Sequence, residues 1–342
     1  GSNSSAGGVG DLALSGVISG TSTSFTKIGA GILTLSGTNS MTGSWLVNEG
    51  TLSVSSFGNN TNSQPITLGA SSTSGKLLYR STGAGGTTTT VLTVAAGGGS
   101  IEHNSTSGLT FSQNATLNGT LTTNCSALAG NLTFSGVLSG NGGLTVNSTN
   151  TGETILSGAN TYIGTTTITA GTLRLNAADR ISNSSNLVLG GGTFSTGATT
   201  GNSETVGTLQ LTGDATIALG TGSHTINFSA SNSTAWTAGK TLTITGWTGT
   251  ASGGTAGRIY FGSSGSGLTQ SQLDAINFTG QQPGAQIISG TGEIVPNFTV
   301  TITSSQSGDW NSTSTWVGGV VPATIDNVVI AAGHTVNVTA DA

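Results

Sequence analysis

Apolar residues in this chain fall in short runs that alternate with polar ones: Ile32-Leu33-Thr34-Leu35, Ala115-Thr116-Leu117, Thr167-Ile168-Thr169, Leu173-Arg174-Leu175, Leu209-Gln210-Leu211 and Leu242-Thr243-Ile244-Thr245. Successive side chains of a strand point to opposite faces, so period two with Gly, Asn or Ser nearby predicts β-strands. From Ser15 to about Thr250 these strands recur roughly every 10 residues, joined by turn residues. One segment breaks the beat. Leu268 to Phe278 reads as a short helix, with Thr269 and Gln272 spaced as a capping box and Leu273 and Ile276 forming an apolar edge.

The alternation is itself repeated. Leu156-Ser157-Gly158, Asn160 and Gly164 answer Leu35-Ser36-Gly37, Asn39 and Gly43, and Gly171-Thr172-Leu173 answers Gly50-Thr51-Leu52, all at an offset of 121 (156 − 35). Leu187 to Gly190 answers Ile66 to Gly69 at the same offset, whereas Ser135 to Gly140 answers Ser15 to Gly20 at 120 (135 − 15). A module of about 120 residues has been duplicated. A string of sandwiches and a solenoid both suit such strands. Duplication favours the solenoid, because each coil, of about 20 residues, needs only its neighbours. In that fold Leu35, Leu52, Val54, Ile66, Leu68, Leu156, Ile168, Leu173, Leu175, Leu187 and Leu189 form an inner ladder, and the Thr and Ser between them face water. Asn39 and Asn160 are expected at a turn, satisfying local backbone groups as an asparagine ladder. Trp45, which stands where the second copy has Thr166, is expected on an outer face.

The pattern G-x-G-x-L-T-L-S-G-x-N-x-x-x-G…G-T-L, carried by Gly29 to Val54 and mostly by Thr151 to Leu175, resembles the autotransporter-associated β-strand repeat, also called the passenger-associated transport repeat. The second copy departs from it by opening with Thr151-Gly152-Glu153-Thr154. The resemblance implies an all-β, right-handed parallel β-helix in the passenger or stalk of a large bacterial surface or secreted protein. Four segments are expected: a first β-helical module at 1–130, its duplicate at 131–250, a closing coil with the short helix at 251–296, and the start of a further β module at 297–342. The last, with Gly308-Asp309-Trp310-Asn311, Thr315-Trp316 and Asp326 to Ile330, resembles the opening of β-helical modules common in secreted proteins of Bacteroidetes, which implies type IX export. The start at Gly1, without methionine or signal peptide, reads as part of a longer processed protein.

Composition narrows the function. Charged residues make up 6% of the chain and glycine accounts for 57 of 342 residues, against ordinary levels of about 25% and 7%. Such a composition also suits disordered linkers, but the alternating apolar runs supply a core that linkers lack. A net charge of −5 with scattered basic residues gives no field for nucleic acid or anionic lipid. No run of about 18 apolar residues could span a bilayer as a helix, and the strands are too polar on both faces for a lipid-facing barrel. Cys125 stands alone, which excludes an internal disulfide and predicts a small buried residue.

No catalytic, cofactor-binding or metal-binding residue is nominated for the leading reading. That reading is a structural and adhesive segment of an exported cell-surface protein, a rigid stalk or fibre component at the bacterial surface. Its expected partners are other copies of itself, other surface proteins and glycans. The alternative is a carbohydrate-binding or polysaccharide-degrading β-helix, with Glu49, Glu153, Asp179 and Arg258 as its candidates, since such enzymes use carboxylates and a basic residue. Glu102 and His103 are neighbours on a strand and point apart, a poor acid/base pair. His224 and His334 stand alone, and the histidines read as solvated or turn residues. The tryptophans read mainly as packing, and the Asn-x-Ser/Thr triplets, such as those at Asn104 and Asn131, as solvated turns. Threonine rows such as Thr87 to Thr90 raise an ice-binding reading, but that needs a regular array on every coil and the spacing is uneven.

Overall fold

In the computed structural model the chain is a parallel β-solenoid. The structure describes residues 10–21, 23–83, 85–127, 130–197, 201–298, 301–322 and 326–338, and the backbone of strand Ser4–Ala6. Strands line up on three faces. The first face has seven, from Ser4–Ala6 to Leu138–Ser139; the second has ten, from Leu12–Leu14 to Leu209–Leu211; the third has eleven, from Gly86–Thr88 to Ile294–Asn297. Each coil is slightly longer than the sequence suggests: Leu92 pairs with Ile66, 26 residues back (92 − 66), and Leu187 with Thr166, 21 back (187 − 166). Three short strands and three corners need that length, and the corners absorb its variation.

The predicted inner ladder is inside, and all eleven of its residues are at most 1% exposed. On the second face Leu33, Leu52, Leu77, Ile101, Thr123, Val146, Ile168, Leu189 and Leu211 pair rung upon rung. Thr123 is the one polar member. It is satisfied by Thr154 of the third face, hydroxyl to hydroxyl at 2.8 Å, with both residues fully buried. Cys125 is buried as expected.

Trp45 corrects the sequence reading. It points inward, 1% exposed, above Ile66, and Thr166 of the second copy is equally buried above Leu187. The two copies fill the same space from different positions. Met41 and Trp45 do so in the first; in the second Tyr162 answers Met41 and fully buries its ring, with its hydroxyl 2.7 Å from the Thr166 hydroxyl. Bulk has moved by one position of the pair, as close packing requires.

The copies also sit on different faces. In the first, Phe25–Lys27 and Trp45–Val47 lie on the first face while Ile32–Leu35 and Gly50–Val54 lie on the second. In the second, Leu144–Asn147 and Thr166–Ala170 lie on the second face while Glu153–Leu156 and Thr172–Leu175 lie on the third. The duplicated unit therefore spans five coils and one face. Each copy leaves the remaining face strand-free over two coils, at residues 36–44 and 55–65 in the first copy and 157–165 and 176–186 in the second. Helix α1, Phe57–Asn60, occupies part of the gap at 55–65. The glycines of the motif permit the crossing: a Cβ on Gly37 would run into the carbonyl of Gly16 one coil below, and on Gly158 into that of Gly136.

Beyond Leu211 the second face ends, while parallel strands continue on the third face and in a three-stranded sheet of Ser203–Val206, His224–Phe228 and Gly257–Phe261. The loop 231–241 covers the last strand of the second face. On the third face the last parallel strand, Ile276–Phe278, is followed by antiparallel strands Gln282–Ile287 and Ile294–Asn297, which cap an edge that would otherwise template association. The predicted helix is shorter than the sequence suggested: α2 covers Gln270–Asp274, and Ile276 to Phe278 is strand. The capping box is present, with Thr269 accepting from the Gln272 N–H and Gln272 accepting from the Thr269 N–H at 2.8 Å. Residues 301–303 pair in parallel with 327–329, and 308–309 with 336–337, around the buried Trp316.

Candidate functional site

The most built feature is the strand-free corner of each repeat, and an asparagine holds it. Asn160, 5% exposed, accepts from the Leu138 N–H at 2.7 Å and donates from Nδ2 to the Arg180 carbonyl at 2.7 Å. Asn39, 3% exposed, accepts from the Ile18 N–H at 2.6 Å and donates to the Asn60 carbonyl. Each amide thus bridges the coil before to the coil after. The expected local turn bonds are not what these residues make. With no regular strand in the corner, some backbone groups there lack ladder partners, and a side-chain amide offers a donor and an acceptor far enough apart to meet one on each neighbouring coil. The rung beneath explains the slip in offset. Ser36 and Ser40 donate to the carbonyls of Leu14 and Ile18, and Ser157 and Thr161 to those of Phe134 and Leu138. Each motif thus rests on the copy of Ser15 to Gly20 one coil below, and that coil is one residue longer in the second copy (157 − 134 against 36 − 14).

In the second copy a carboxyl does related work. Glu204, fully buried on strand Ser203–Val206, accepts from the Arg180 and Ile181 N–H groups, each at 2.8 Å, where the chain is strand-free. Burial pushes its pKa from 4.5 up to about 7, against the pull of the two amides. A pKa raised by folding means the fold favours the protonated form. That contribution is full below about pH 4.5 and is lost as pH rises through about 7. The melting temperature of the native chain is expected to fall by a few degrees between pH 5 and 8, and Glu204→Gln to flatten this change in a thermal melt series.

The nominated catalytic residues do not converge. Glu153 is tied to Arg174 at 2.6 Å across coils. Glu49 accepts from the Gly29 N–H at 3.0 Å and lies beside the buried Lys27, whose Nζ donates to the Ile28 and Gly29 carbonyls. Four rung spacings of the second face, from Gly50–Val54 to Leu144–Asn147, separate the coils of Glu49 and Glu153, about 20 Å along the axis. Asp179 does lie one coil from Glu204, its N–H donating to the Ser203 carbonyl, but it is exposed while Glu204 is interior. Arg258 donates to the Gly254 carbonyl at 2.8 Å, far along the chain from the others.

Two histidine readings are corrected. His103 and His224 are buried, 0% and 1% exposed, not solvated, and burial lowers the pKa of both. His103 stacks on Tyr79 at 5.7 Å and pairs in register with Cys125, while Glu102 turns outward to Lys76 at 3.0 Å. Glu102 and His103 therefore point apart. Among the described residues no three of His, Cys, Asp and Glu gather as a metal-holding group, and no helix is long and apolar enough to cross a membrane.

The threonines align better than their spacing suggests, because corners absorb the unevenness. Thr67, Thr93 and Thr116 stack on the first face, Thr122, Thr145 and Thr167 on the second, and Thr87, Thr110 and Thr133 on the third. Each column is broken by an aliphatic residue, Leu46, Val188 and Ile155 respectively. Sequence reasoning did not single out a further feature, a groove of about 360 Å³ beside Trp236.

Two stretches, residues 25–54 and 149–175, match the model of the passenger-associated-transport-repeat family. No curated protein and no solved structure matches the chain.

Proposed function

From two passenger-associated transport repeats set on one continuous solenoid, we propose that this chain is a rod-like segment of an exported bacterial surface protein, a spacer that carries adhesive surface away from the cell. The observation that supports this most is the continuity of the second face through both repeats: ten parallel strands, about 45 Å of unbroken ladder. Cross-coil amides and a threonine-rich exterior suit a passive scaffold facing water and changing salt. The degrading alternative is less well supported, since the carboxylates it needs are tied up on separate coils. Antibody raised against this chain is expected to label intact cells of the source bacterium or its spent medium. Labelling that requires permeabilised cells would overturn the reading.

A further inference from the structure

We propose that the groove beside Trp236 binds an acidic glycan, with a pyranose ring laid on the indole and a uronate carboxylate turned toward Lys240. The proposal deepens the adhesive part of the reading above by naming where adhesion occurs and to what.

The groove is built from pinned parts. Where the second face ends, loop 231–241 lies over its last strand: the Thr237 N–H donates to the Leu211 carbonyl at 2.8 Å and Trp236 Nε1 to the Leu209 carbonyl at 3.0 Å. From the other side the buried Gln272 of α2 donates to the carbonyls of Ser231 at 3.0 Å and Thr234 at 2.9 Å. The indole is therefore fixed by its N–H edge, and part of its ring remains in the groove. The other tryptophans are otherwise employed: Trp45 and Trp316 are buried, Trp247 packs on Phe278 at 5.3 Å, and Trp310 on Trp316 at 5.2 Å.

The lining selects the ligand. Trp236 with Ala238 and Ala275 offers an apolar wall, and Asn232, Ser233 and Ser271 offer amide and hydroxyl groups on the rim. A pyranose has the matching duality, with axial C–H groups that stack on an aromatic face and hydroxyls around its edge. A volume of about 360 Å³ is that of a small-ligand site. Charge decides the class of sugar. The chain carries −5 overall, yet the groove is lined by no carboxylate and its one charge is Lys240. The partner of Lys240, Asp214, stands 3.5 Å away in an exposed pair, a weak contact that leaves the ammonium free to turn to a ligand.

The test is titration of the whole chain with an oligogalacturonate trimer, read by tryptophan fluorescence and calorimetry, with cellotriose as the neutral arm. Millimolar binding of the acidic trimer is expected, with the neutral one at least about fivefold weaker. Trp236→Ala should weaken binding about tenfold or more and Trp236→Phe should retain most of it. Lys240→Gln, which removes only a weak surface ion pair, should erase the preference for the acidic sugar. No binding of the acidic trimer, equal binding of the neutral one, or an unaltered preference in Lys240→Gln would each overturn the proposal. None of these results bears on whether the chain is exported, which surface labelling decides separately.

Discussion

Replacing Trp45 with threonine should lower stability by about 3–5 kcal/mol, the range for emptying a large aromatic site in a packed interior. The residue is 1% exposed, packs on Phe25 at 5.0 Å, and donates from Nε1 to the Thr61 carbonyl at 3.1 Å, so both volume and a buried acceptor are left behind. The second copy shows what restores the site. Adding Met41→Tyr recreates the Tyr162 and Thr166 pair and should recover at least about 1 kcal/mol through the coupling of neighbours. Urea midpoints of the two single variants and the double variant measure this. In the native background Met41→Tyr alone should overpack and destabilise. Strict additivity of the two changes would refute the account of bulk exchanged between the copies.

Asn160→Ala should cost about 2–4 kcal/mol, although it creates only a small cavity. It strands two buried backbone groups at once, the Leu138 N–H and the Arg180 carbonyl, and each unmade hydrogen bond costs about 1–3 kcal/mol. Asn160→Asp distinguishes this from simple loss of volume. The aspartate keeps the size and the acceptor but sets a carboxylate against the Arg180 carbonyl, so it should destabilise at least as much as alanine at pH 7. Amide hydrogen exchange is expected to speed most at residues 138 and 180–181, one coil to either side. Exchange that rises only within residues 157–165 would count against a bridge across coils.

Much of the fold can be read from period two alone, because inward residues of a solenoid need only alternate. Leu35, Leu173 and Leu189 betray their burial, and so do the opposite directions of Glu102 and His103. The failures have one physical origin. Thr166, His103, Glu204 and Lys27 are polar, yet each stands two residues from an inward Ile168, Ile101, Val206 or Phe25 on the same strand. Position therefore places them inside, while residue type suggested the surface for Thr166 and His103 and gave no sign of burial for Glu204 and Lys27. Lys27 is met by the carbonyls of its own neighbours Ile28 and Gly29, whereas Thr166 and Glu204 are satisfied from other segments, by Ser185 and by the Arg180 and Ile181 amides. Those partners lie across corners whose lengths vary, so no pattern within one strand announces them. The groove at Trp236 is hidden for the same reason, since its walls come from loop 231–241 and from α2.

The one-face displacement between copies bears on any protein that strings more of these units together at the same offset. Each added unit would turn its neighbour's pattern by a third of a revolution, so the fourth would stand directly over the first. Whatever one such corner displayed would then wind about the shaft like the thread of a screw, reaching outward on every side.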